Sequence, residues 1–186
     1  VLGFGTSITN KWGTGFAGTA GDYSNVQVGG DSYLFWACVA NKFSIDSIIN
    51  QGVSSDTTAL MLARYATDVT ANLNLFDVMV FEPGSNDYSV ASPDVTTIKA
   101  NIASIISQTI NAGKPIILLT PTPSEFVTTA IQRNALAEVT NWIKTTYRSL
   151  GFVYVVDTQA AMADAATGSP LSVLYTPTTV EATRVH

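Results

Sequence analysis

Two hydrophobic periods alternate along this chain. Short, continuous apolar runs have the pattern of strands covered on both faces. Between them lie longer stretches in which apolar residues recur every three or four positions, the spacing of a helix packed on one side. Residues 1–4 read as a first strand, 45–49 as a second and 76–81 (Phe-Asp-Val-Met-Val-Phe) as a third. Residues 115–120 read as a fourth and 152–156 as the last. Helical spacing predicts a helix over 32–43, carried by Tyr33, Phe35, Trp36, Val39 and Phe43, and another over 57–70. Val95, Ile98, Ile102, Ile105, Ile106 and Ile110 form one stripe, with Ser92-Pro93 as cap and first-turn proline and Gly113 as the stop. A long helix is expected over 128–150, with Ile131, Leu136, Val139, Ile143 and Tyr147 facing inward. Strands separated by helices imply parallel pairing, right-handed crossovers and a three-layer α/β domain. No repeat or low-complexity linker interrupts residues 1–186, so one domain is expected; the aperiodic, Gly-rich stretch 9–30 reads as a long loop.

Composition narrows the setting. The 186 residues are 46% hydrophobic but only 12% charged, about half the charge of an average globular chain. The polar surface must come largely from Thr, Ser, Asn and Gln, which favours an extracellular or virion-associated protein. A net charge of −5 leaves no basic patch for phosphates, which excludes nucleic acid and anionic membrane surfaces as partners. No apolar run approaches the ~20 residues of a membrane span. The single cysteine, Cys38, cannot form an internal disulfide or a cysteine-based zinc site, and its apolar surroundings predict a buried, inert thiol. No cluster of His, Asp and Glu suggests a metal. The glycines after the first strand do not form a dinucleotide fingerprint and no P-loop occurs, which argues against a nucleotide-binding domain. No signal peptide opens the chain. A strand already under way at Val1 and an abrupt end at His186 suggest a domain carried on a larger multidomain protein.

In parallel α/β sheets ligands bind beyond the carboxyl ends of the strands. That rule selects Gly5-Thr6-Ser7, Asn50-Gln51-Gly52, Gly84-Ser85-Asn86-Asp87 and Thr120-Pro121-Thr122. Ser7 is the candidate nucleophile, but a serine hydroxyl needs a base to take its proton. The chain has one histidine, His186, its last residue. Catalysis through serine therefore requires the two ends to meet. The Ser7 N–H, the Gly52 N–H and the Asn86 side-chain amide are candidate donors for an oxyanion hole. Among the carboxylates, Asp87 suits a turn or loop brace and Asp157 a strand end or helix cap. Asp56 suits a helix start, where the dipole favours negative charge.

These segments resemble a known family. Phe4-Gly5-Thr6-Ser7-Ile8-Thr9, Asn50-Gln51-Gly52-Val53-Ser54-Ser55-Asp56-Thr57 and Gly84-Ser85-Asn86-Asp87 are similar, in order, to the first three sequence blocks of the SGNH (GDSL-like) hydrolases. Val185-His186 looks like the end of the fourth. The resemblance implies a flavodoxin-like α/β/α fold and ester hydrolysis without a cofactor. It also implies Ser7 as nucleophile, His186 as base, and Ser7, Gly52 and Asn86 as the oxyanion hole. Two positions depart from the family pattern. Thr6 stands where the first block has Asp, and Thr183 stands where an Asp would precede the histidine by three. Without that acid a Ser–His dyad is expected, with Glu181 as the alternative partner for the imidazole. By family habit the substrate is a small acyl ester, an O-acetyl group on a carbohydrate, and Trp12 and Tyr23 are candidates to stack on a sugar ring. The competing reading is a carbohydrate-binding or structural module that kept the fold and lost turnover.

Overall fold

Side-chain alternation on β1 (Leu2–Gly5) sets the plan of the molecule. Leu2 and Phe4 are fully buried and point to the same side, as residues two apart on a strand must. The structure, a computed structural model, describes residues 1–6, 9, 48–124 and 126–162. Besides β1 these contain β2 (Ile49–Gly52), α1 (Thr58–Asp68), β3 (Met79–Phe81), α2 (Val95–Asn111) and β4 (Ile116–Leu119). They end with α3 (Ala130–Thr146), β5 (Val153–Val156) and α4 (Thr158–Met162). The five strands are parallel in the order β2-β1-β3-β4-β5, the flavodoxin-like order in which the chain reverses direction across the sheet between β1 and β3.

The register lines up two rows of core residues. Leu2, Met79, Ile116 and Val153 are neighbours across the sheet, and so are Phe4, Phe81, Leu118 and Val155. This face packs on α1 through Met61 and Tyr65, on α2 through Ile98, Ile102, Ile105 and Ile106, and on α3 through Leu136, Val139 and Ile143. The other face carries Ile48, Val80 and Leu119, with Val1 and Ile117 against them. Residues alternate between two apolar faces because both are covered, which is the three-layer α/β/α arrangement.

Several boundaries differ from the expectations, each for a local reason. The second strand is Ile49–Gly52 rather than 45–49. It lies at the sheet edge, where Asn50 and Gln51 are tolerated, so the apolar run did not mark it; residues 45–47 lie outside the described set. The cap of α2 is Asp94 rather than Ser92, because its carboxylate reaches the Thr97 N–H (3.1 Å) and hydroxyl (2.7 Å). At the other end Gly113, at φ +75°, closes the helix. Ile131 is exposed on α3. The inward slot of that first turn belongs to Gln132, whose side chain closes a capping box with Thr129 and donates to the Val90 carbonyl at 3.0 Å. Phe152, expected in the last strand, precedes it at φ +71°. The helix expected over 32–43, and Cys38 within it, lie outside the described residues, as does the loop after Thr9.

Candidate active site

Four strand ends meet at the carboxyl edge of the sheet, and the first three are bound directly to one another. Thr6, just past β1, is almost completely buried. Its N–H (3.2 Å) and hydroxyl (2.8 Å) both donate to Oε2 of Glu82, which follows β3. The Thr9 hydroxyl reaches the same oxygen at 3.4 Å. Glu82 is fully buried, and burial pushes its carboxyl group above the ordinary range against the pull of the Thr6 bonds. A side chain at Gly5 would place its Cβ 2.3 Å from the Thr9 hydroxyl and 2.7 Å from the Glu82 carbonyl. At Gly84, where φ is +73°, a Cβ would lie 2.2 Å from the Thr6 methyl. The first and third loops are thus in contact through two positions that only glycine fits.

The second loop enters through Asn50 and Gly52. Gly52 is the register partner of Gly5. Its N–H donates to Asn50 Oδ1 at 3.0 Å, while Asn50 Nδ2 donates to the Thr9 carbonyl at 2.9 Å. The Asn50 amide therefore already bonds the N–H expected to meet an oxyanion, and a substrate oxygen would share or displace it. Asn86 opens a short 3-10 turn and donates one amide hydrogen to the Asp56 carbonyl at 2.7 Å. That bond fixes the direction of the amide and leaves its second N–H for a substrate. Asp87 braces this turn against α1, accepting from the Thr58 N–H (2.8 Å) and hydroxyl (3.0 Å). Burial raises its pKa, opposed by those two bonds.

Arg64 on α1 joins the strand ends from beneath. Nη2 donates to the Gly5 carbonyl and Nη1 to the Gln51 carbonyl, both at 2.8 Å. Nε meets Asp56 and Nη1 meets Asp68, both at 2.5 Å. The guanidinium lies 4.5 Å from the centre of the Phe4 ring. Asp56 is therefore the partner of Arg64 more than a helix-dipole residue. The fourth strand end is committed to structure. The Thr120 hydroxyl bonds to that of Thr158 (3.1 Å) and accepts the Gln159 N–H (3.0 Å). Asp157 caps α4 at the Ala160 N–H (3.0 Å) and pairs with Lys144.

Of the predicted site, Gly52 ends β2 and Asn86 follows β3, the strands on either side of β1, and the two are linked through Arg64 and Asp56. Ser7 and His186 lie outside the described residues, together with Trp12, Tyr23, Glu181 and Thr183. Glu82 and Arg64 were missed. A charge ending an otherwise apolar strand, just before Pro83-Gly84, was the available signal for the first. Nothing local distinguished the second from any helix-surface arginine. Among the described residues no group of His, Cys, Asp or Glu could hold a metal ion, and no helix is long and apolar enough to cross a membrane.

A five-stranded parallel sheet in this order, flanked by helices, is the architecture of the SGNH hydrolases that resemble it in structure. The chain belongs to the GDSL-like lipase/acylhydrolase family, whose model matches residues 4–177. A protein assigned to the G-D-S-L family of lipolytic proteins from Desulfitobacterium hafniense DCB-2 is similar in structure at 21% identity, covering 98% of this chain and 88% of that one, with a TM-score of 0.64. An acetyl xylan esterase, AlAXEase, is similar at 15% identity over 86% of this chain and 77% of its own, with a TM-score of 0.62. AlinE4, an SGNH-hydrolase family esterase, is similar at 23% identity over 88% and 78%, with a TM-score of 0.59. At these identities the likeness is one of fold. No curated protein sequence matches.

Proposed function

We propose that the protein is a serine esterase that hydrolyses small acyl esters, with O-acetyl groups on carbohydrate as the substrate class. The observation that carries this reading is the Asn86 amide. It is held by the Asp56 carbonyl at 2.7 Å, and the Asp56 carboxylate meets the Arg64 guanidinium that also holds the Gly5 and Gln51 carbonyls at the neighbouring strand ends. A fixed donor at that place suits an oxygen that gains charge during reaction better than a neutral ligand. In the reaction, Ser7 attacks the ester carbonyl carbon while His186 takes its proton. The carbonyl oxygen becomes an oxyanion held by the N–H groups of Ser7 and Gly52 and by the Asn86 amide. Collapse breaks the bond to the alcohol, which leaves with the proton from His186. Water then attacks the acyl-serine by the same sequence and releases the acid. Family membership supports the acyl-ester part, and the likeness to an acetyl xylan esterase supports the acetyl-carbohydrate part.

Hydrolysis of p-nitrophenyl acetate and of an acetylated xylan provides the test. Ser7→Ala is expected to abolish turnover, and Asn86→Ala to lower kcat by about 10²–10³, the range for a single oxyanion donor. Equal rates for Ser7→Ala and the native protein would remove serine chemistry. Saccharide binding without fluorophosphonate labelling of Ser7 would favour a binding module instead.

A further inference from the structure

We infer that Arg64 is a positioning residue for the oxyanion hole, holding the Gln51–Gly52 peptide directly and the Asn86 amide through Asp56. This rests on the esterase reading above and adds to it a part of the catalytic apparatus that touches no substrate. The Gln51 carbonyl that accepts from Nη1 at 2.8 Å and the Gly52 N–H are opposite ends of one planar peptide. Holding the oxygen sets the direction of the hydrogen. The Gly5 carbonyl, held by Nη2 at 2.8 Å, belongs to the peptide that carries the Thr6 N–H, one residue before Ser7. Nε holds the Asp56 carboxylate at 2.5 Å, and the main-chain carbonyl of the same residue holds Asn86 Nδ2 at 2.7 Å. One rigid, planar group therefore sets the relative position of three loops, using three of its five N–H donors.

The arrangement exceeds what stability alone requires. Neutralising Asp56 and Asp68 needs only a cation, which a lysine would supply. Two strand-end carbonyls and a carboxylate held in one plane need the guanidinium fork. The side chain is 16% exposed and lies against the Phe4 ring, so it has little freedom to leave this geometry.

The experiment compares Arg64→Lys with Asp68→Asn, Ser7→Ala and Asn86→Ala in p-nitrophenyl acetate hydrolysis, with melting curves to establish that each variant is folded. Arg64→Lys is expected to lower kcat and kcat/KM together by roughly 10- to 100-fold, with KM within about threefold, the signature of an interaction realised in the transition state. Asp68→Asn removes a carboxylate that touches the guanidinium but no site loop, and should keep kcat within about twofold at a comparable loss of Tm. On the Asn86→Ala background the effect of Arg64→Lys should shrink, because part of it acts through that amide. If Arg64→Lys melts below the assay temperature, Asp56→Asn carries the same kcat and KM expectation. A folded Arg64→Lys with native kcat, or one whose loss matches Asp68→Asn, overturns the inference provided Ser7→Ala is inactive. An active Ser7→Ala overturns the esterase reading itself.

Discussion

Glu82 shows how much a single residue can decide here. It is a fully buried carboxylate that no arginine or lysine pairs with among the described residues, and it accepts hydrogen bonds from the Thr6 N–H and hydroxyl and from the Thr9 hydroxyl. Thr6, which stands where the family's first block has Asp, is thus held by a carboxylate that follows β3. Burial raises the Glu82 pKa above its unfolded value of about 4.3. Between that value and the raised native one, the native state holds more protons than the unfolded chain, so stability falls as pH rises through the window. Glu82→Gln keeps an acceptor for Thr6 but cannot ionise. Urea unfolding of both proteins from acid to neutral pH should show a flatter profile for the variant. Identical slopes would mean that Glu82 titrates normally. Asp87, also raised by burial, gives the same sign in both proteins and cancels in the comparison.

At the scale of elements, the helices are set by their first turns. α1 begins at Thr57, whose hydroxyl caps the Leu60 N–H, while Asp87 from the third loop takes the Thr58 N–H. The start of α1 and the position of the Asn86 turn are thus the same contact. α3 begins with the Thr129–Gln132 capping box, in which Gln132 Oε1 accepts the Thr129 N–H at 2.9 Å. Thr129→Ala should cost about 1 kcal/mol of unfolding free energy, the usual value for a lost cap, and leave esterase activity unchanged. A measured cost near zero would mean that Gln132 holds the turn unaided. The exposed Ile131 belongs to the same lesson. Periodicity located the helix correctly but could not tell which of two adjacent residues faces the core, since the cap and the Val90 carbonyl made a glutamine the better inward residue.

At the scale of the whole molecule, one core ties the sheet to α1, α2 and α3. Ile102 lies at its centre with no exposed surface. Ile102→Ala should lower stability by roughly 2–5 kcal/mol, through the lost apolar burial and the cavity left behind. Far-UV circular dichroism and tryptophan fluorescence should report the same shifted denaturation midpoint. Separate midpoints would show that the core does not unfold as one unit. The carboxyl edge draws its rigidity from this core, because Phe4 and Phe81 sit directly beneath Gly5 and Glu82.

Unlike α4, the succession of five strands with α1, α2 and α3 between them, the parallel pairing and the loops at the strands' carboxyl ends were legible in the amino-acid sequence alone. Each is written in local periods and in short Gly-x-x motifs. The edge strand β2 was less so, since half-exposed residues need not be apolar. The Glu82–Thr6 junction, the Asn50 bond on the Gly52 N–H and the Arg64 fork came only with the tertiary structure. They join residues 2 to 76 positions apart through carbonyls and carboxylates, and an acceptor's identity does not say which donor the folded register will bring to it.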